Sequence, residues 1–241
     1  MIDKILELLE DIQFRMLMVA GCAVLIFLAL YMALLWSPEA TSVTGAPEPP
    51  TFRIIYFHVP VAIMSYVGYL IVFAGSVLYL WKKDLRFDRW AAVGCEMGVL
   101  FNAMMLMSGM IWGRQRWGAW WIWEPRLTTA FVLLIIFIGY LVLRSMVEND
   151  VTRARFAAVF GIIGFIDVPI VHYSIKIWGS VMHPVVIQSI KDPGMPMEMI
   201  MTLRFSGLAF AVTFVTIYLL RLRVEILASE IKKLRAAKNE Q

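Results

Sequence analysis

Long apolar runs alternate with short polar breaks along the whole chain. Six runs, at approximately 14–36, 53–81, 91–112, 127–146, 156–173 and 198–220, lie near or above the roughly 20 residues that cross a bilayer as a helix. Each break has the chemistry of a turn. The first (37–52) holds Pro38, Gly45, Pro47, Pro49 and Pro50; the second holds Lys82, Lys83, Arg86 and Arg89; the fourth holds Glu148, Asn149, Asp150, Arg153 and Arg155. The last, at 174–197, includes His183-Pro184 and Asp192-Pro193-Gly194. Hydrocarbon offers backbone groups no partner, so apolar runs of this length are expected to be helices. The predicted fold class is therefore an all-α polytopic membrane protein, one membrane domain over 1–241, with six transmembrane helices and both termini on one side.

The ends of the chain fit the same scheme. Residues 1–13 place Ile2, Ile5, Leu9 and Ile12 on one stripe, as an interfacial helix would. The first span is too long in its apolar part, and lacks the small-residue cleavage site, to be a signal peptide, so it is expected to be retained. Beyond the sixth span, 221–241 reads as a basic C-terminal helix with Val224, Leu227, Ile231 and Leu234 at 3-4-3 spacing. This stripe suits either a membrane-hugging helix end or docking onto a cytoplasmic partner protein.

Composition agrees: 61% of residues are hydrophobic, 17% are charged and the mean hydropathy is +0.75. The net charge of +4 points to topology rather than to nucleic acid, because the basic residues gather in short loops and at the C-terminus. Fifteen of the 22 Lys and Arg fall on the side that holds both termini and the 82–90 and 144–155 turns, which makes that side cytoplasmic. Cys22 and Cys95 lie in separate apolar runs without CxxC spacing and read as small buried hydrophobes. Glu96 and Asp167 lie within spans; Glu96 is shallow enough for a structural role, and Asp167 lies where an arginine of the outer side could pair with it.

Against this background the outer segment 112–128 is unusual, with five of the nine tryptophans within twelve positions, three arginines and one carboxylate. Trp36, Trp81, Trp90 and Trp178 sit singly at span ends, as an aromatic belt requires. Helical spacing would put Trp117, Trp120, Trp121 and Glu124 on one face of a short interfacial helix, with Trp123 looking away and a break at Pro125. Arg114, Arg116 and Arg126 sit there against the usual charge bias and suit an anionic ligand. All three histidines, His58, His172 and His183, also map to the outer side. Two imidazoles can ligate haem iron from opposite faces, leaving the porphyrin plane to Trp and the propionates to Arg. His58 and His183 both stand at proline steps and are preferred as the axial pair, with His172 as a propionate or outer contact.

With these parts in place, Trp117-Gly118-Ala119-Trp120-Trp121-Ile122-Trp123-Glu124-Pro125-Arg126-Leu127-Thr128 resembles the WGxxWxWDxRLT signature (the WWD domain) of the haem-handling protein superfamily. The span count, the length, His58 at the start of span two and the 169–184 stretch before span six resemble its cytochrome c maturation protein C branch, the haem exporter protein C family. The resemblance implies haem b as cargo, held between His58 and His183 on the tryptophan platform at the outer, periplasmic face of a bacterial-type cytoplasmic membrane. It also implies delivery to a membrane-anchored haem chaperone, the E protein. The implied ABC transporter complex contains an ATP-binding cassette ATPase and its membrane component, the A and B proteins, and a small single-span D protein. No G-x-x-x-x-G-K-[ST] loop is present, so this chain is expected to be an assembly factor, with ATP hydrolysis left to a partner. Glu124 departs from the Asp of the signature and precedes Pro125. Two other classes fit the residues less well: a bis-histidine electron carrier, which would keep its haem, and a transporter component for another small molecule, which would need more polar residues across the membrane.

Overall fold

The computed structural model describes residues 8–41, 48–179 and 195–239, which form helices joined by short connections. The helices are α1 (Ile12–Tyr31, continued by a π-helical turn at Met32–Trp36), α2 (Ile55–Lys82, led by a 3-10 turn at Pro50–Ile54), α3 (Leu85–Trp117), α4 (Pro125–Met146), α5 (Asp150–Phe165), α6 (Asp167–Trp178) and α7 (Met197–Asn239). With its leading or trailing turn included, and α5 and α6 taken together, this set gives six helical stretches long and apolar enough to cross a membrane. The protein is an all-helical, multi-pass membrane protein. The interfacial helix expected over 1–13 lies mostly outside the described residues.

Local chemistry sets the boundaries. Lys83, at φ 57°, closes α2 in the left-handed region, and its N–H donates to Tyr79 O at 2.7 Å. Asp84 then caps α3, accepting from the Arg86 backbone N–H at 2.9 Å and from its Nε at 2.8 Å. These bonds, the backbone one foremost, hold the Asp84 carboxyl below the usual carboxylate range. Asn149 caps α5 by accepting from Thr152 N at 2.9 Å. The fifth stretch is broken at Ile166, whose N–H turns back to Ile163 O at 3.1 Å. Pro169 explains the break, since its ring clashes with the carbonyl of Phe165 and it brings no N–H.

The core is built on α2 and α3, which pack backbone to backbone. A Cβ placed on Gly68 would lie 2.6 Å from Gly98 Cα, and one on Gly75 would lie 2.8 Å from Phe87 O. Lipid tails are as apolar as leucine, so close van der Waals packing across small residues is what holds such a pair together. Gly68→Val should therefore force the helices apart and cost about 1–3 kcal/mol or more. A thermal unfolding curve in detergent that matches wild type would contradict this packing. Tyr69 stacks on Phe137 at 3.9 Å and accepts from Asn102 Nδ2 at 3.0 Å, which joins α2, α3 and α4, while Asn102 Oδ1 is buried with no hydrogen-bond partner among the described residues.

Two ion pairs link the helices of the bundle. Arg144 of α4 grips Asp88 of α3 with both arms of its guanidinium, at 2.5 and 3.0 Å. Glu96 pairs with Arg221 of α7 at 2.6 Å, which gives it the structural role expected. The outward faces carry exposed apolar side chains, among them Leu17, Phe27 and Leu35 before α2 and Leu208 and Val215 on α7. Lipid is the natural neighbour for such faces.

Helix α7 has 43 residues, hence a length of about 64 Å, roughly twice the hydrocarbon thickness. The basic C-terminal region is thus a continuation of the last span. It is tied by Lys232 to Asp150 at 2.8 Å and by Arg223 to Glu10 at 2.9 Å. The N-terminal segment, the α4–α5 turn and the end of α7 therefore share one end of the bundle.

Candidate functional site

At the opposite end, His58 is the fourth residue of α2. Pro60 predicts a chain break here, but α2 runs through it without interruption. The missing N–H falls against Tyr56 only a turn from the helix start, where a proline is tolerated more readily than deep in a helix. His58 is half-buried and turned toward α3, with Nδ1 2.9 Å from Ser108 Oγ. Next to it, Gly109 leaves room for the ring: a Cβ there would lie 3.3 Å from His58 Cε1. Trp112 follows Ser108 by four residues on α3, about 6 Å further along the same face. The imidazole thus stands at the edge of the tryptophan segment.

That segment does not form the interfacial helix expected. Helix α3 continues to Trp117, Gly118 at φ 75° ends it, and the chain from 118 to 124 is non-helical, bent over 118–120 and turned again where Glu124 N–H donates to Ile122 O at 2.9 Å. A C-terminal glycine in the left-handed region and a residue restricted by the following proline leave no helical stretch between them. The expected face of Trp117, Trp120, Trp121 and Glu124 is replaced by two edge-to-face pairs. Trp112 meets Trp117 at 5.2 Å, and Trp121 meets Trp123 at 5.5 Å. Trp117 packs over Gly113, where a Cβ would lie 2.8 Å from its ring. Trp121 also meets Phe131 of α4 at 5.8 Å, and its Nε1 is buried with no hydrogen-bond partner among the described residues. Trp120 and Trp123 are 55% and 76% exposed, so the surface offers open indole faces.

The three arginines part company. Arg114 donates to the Gly118 carbonyl and so braces the end of α3. Arg116 pairs with Glu48 of the α1–α2 connection at 3.3 Å. Arg126 lies in the first turn of α4, half-buried. Asp167 itself makes no ion pair among the described residues, and one of its carboxylate oxygens is buried without a hydrogen bond. The arginine partner expected for it is absent there. Glu124 is buried just before α4, where the positive end of the helix favours a carboxylate.

His172 lies exposed on α6 with its ring edge-on to Tyr173 at 4.9 Å. His183 lies outside the described residues. Ser108, Gly109 and Glu48 join the site without standing out in the sequence pattern. The one signal for the first two is a Ser-Gly pair a turn before Trp112, on the span antiparallel to that of His58.

A half-buried imidazole, open indole faces and guanidinium groups match a flat apolar disc that carries a metal and two carboxylates. Comparison with known proteins agrees. The family model described as Heme exporter protein C matches residues 3–237. The chain is 28% identical over 217 residues to Heme exporter protein C of Bradyrhizobium diazoefficiens, covering 90% of this chain and 80% of that one. With the Escherichia coli K12 protein of the same name it shares 32% over 182 residues, covering 75% and 72% of the two chains. A putative cytochrome c biosynthesis ccmC-like mitochondrial protein of Arabidopsis thaliana is 35% identical over 132 residues, 55% of this chain and 49% of its own. The match spans nearly the whole chain: it belongs to the haem exporter protein C family.

Proposed function

We propose that this chain holds haem b at the outer face of the cytoplasmic membrane, between His58 and His183, and passes it to a membrane-anchored haem chaperone. Family membership carries the coarser part: a haem-handling transport and assembly component of cytochrome c biogenesis, working in a membrane complex. The observation that carries the finer part is the seating of His58 on α3 beside Trp112 and the indoles that follow it. Lys and Arg asymmetry supports an outward position for this end of the bundle.

In this reading each group has one task. Imidazole nitrogen of His58 and of His183 binds iron. The indoles of Trp117, Trp120, Trp121 and Trp123 cover the macrocycle, and Arg126 is the guanidinium for a propionate. Arg114 and Arg116 shape the platform through Gly118 and Glu48, and Arg116 can exchange its exposed pair with Glu48 for a propionate at little cost. His172 serves as an outer contact. The ATP-binding cassette ATPase, the A protein, would supply ATP hydrolysis, and the B and D proteins would complete the complex in the membrane.

Release is as much part of the task as binding. The exposed indoles leave the haem open to a partner's approach, and exchange of one axial ligand loosens it. Haem-loaded protein mixed with the purified apo-chaperone should transfer its haem, read as movement of the Soret absorbance to the chaperone fraction. Haem retained through repeated chaperone exchange would favour a resident electron carrier instead.

A further inference from the structure

We infer that Ser108 and Gly109 are positioning residues that hold His58 in the Nδ1–H tautomer, so that Nε2 carries the lone pair offered to iron. The inference rests on the reading of His58 as an axial ligand and adds to it which nitrogen binds and what enforces the choice.

Proton counting carries the argument. The Ser108 hydroxyl has a single hydrogen, and its oxygen lies 2.8 Å from Met104 O and 2.9 Å from Met105 O. Both carbonyls only accept, so the hydroxyl hydrogen is committed to the helix backbone. With that hydrogen on the backbone, Ser108 presents a lone pair toward His58, 2.9 Å away, and we assign the donor role to Nδ1. A neutral imidazole protonated on Nδ1 has its lone pair on Nε2. The Ser108 side chain is buried, so water competes poorly for the bond. Gly109 sets the second coordinate, the depth of the ring: a Cβ there would press on Cε1 from 3.3 Å, and the imidazole would have to shift by a few tenths of an ångström to admit it. A hydrogen bond on the nitrogen opposite the metal fixes ring orientation and raises ligand basicity, and its loss typically weakens metal affinity by about 10–100-fold.

The test compares wild type with Ser108→Ala, Ser108→Thr, Gly109→Ala and His58→Ala. In the protein without haem, the ring 15N shifts of His58, identified by their absence in His58→Ala, should show the Nδ1–H tautomer in wild type and in Ser108→Thr. A mixture of tautomers is expected in Ser108→Ala. Haem affinity should fall by about tenfold or more in Ser108→Ala and in Gly109→Ala, and recover in Ser108→Thr. The reduction potential of the bound haem should rise in Ser108→Ala, because a less basic imidazole stabilises the ferric state less. If His58→Ala alters the haem spectrum while Ser108→Ala keeps the wild-type tautomer, affinity and potential, the positioning role is wrong and the axial role stands. If His58→Ala leaves the spectrum unchanged, the axial reading fails first, and the positioning role fails with it.

Discussion

Replacing Asp88 with Ala is expected to lower the stability of the folded bundle by about 3–5 kcal/mol. The reason lies in what remains. Arg144 reaches Asp88 through two hydrogen bonds, and both side chains are nearly closed off from solvent, at 10% and 5% exposure. Without the carboxylate, a guanidinium stays buried beside Tyr140 with its charge uncompensated. Losing the pair as a whole is a different matter. Changing Asp88 to Leu and Arg144 to Met together should recover most of the stability, because no lone charge is left. Thermal unfolding in detergent, followed by circular dichroism, reads both effects. Equal losses in the single and double variants would show that the pair's own attraction, rather than the stranded charge, is what stabilises the contact between α3 and α4.

The second large effect is expected at His58. With His58 as the proposed axial ligand, His58→Ala should remove a ligand of the iron and leave a cavity beside Gly109. Loss of a ligand should exceed the loss caused by removing its hydrogen-bond partner, so haem affinity should fall by at least about tenfold to a hundredfold. Folding should be little affected, because His58 is only half-buried and the α2–α3 contact is made by Gly68, Gly75 and their neighbours. Added imidazole can enter the cavity and restore a nitrogen ligand. A recovered spectrum with imidazole would separate ligand loss from a collapsed site.

Much of this architecture is legible in the apolar pattern, because in a bilayer length and hydropathy decide a helix directly. The fifth run reads as one uninterrupted span, and the break at Ile166 that Pro169 causes emerges only in the structure. The tryptophan segment misleads for an identifiable reason. Periodicity over 117–124 mimics a helical face, but Gly118 and Pro125 stand seven residues apart, and between a helix stop and a helix start no helix forms. Pro60 misleads in the opposite direction, since a proline near a helix start leaves the helix intact. The contacts that position the site come from different parts of the chain: Ser108 and Gly109 against His58, and Glu48 against Arg116. Pairings of that kind depend on the register between helices, which one chain's periodicity does not encode. The small-residue positions Gly68, Gly94 and Gly98 are where that register is set.

The central claim is that His58 ligates the iron of haem held on the tryptophan segment. It is tested most directly by the absorption spectrum of the haem-loaded protein before and after His58→Ala, with and without added imidazole. The account predicts a six-coordinate, low-spin spectrum for wild type, its loss in the variant, and its return when imidazole is supplied. A variant that binds haem as tightly as wild type with an unchanged low-spin spectrum would contradict it.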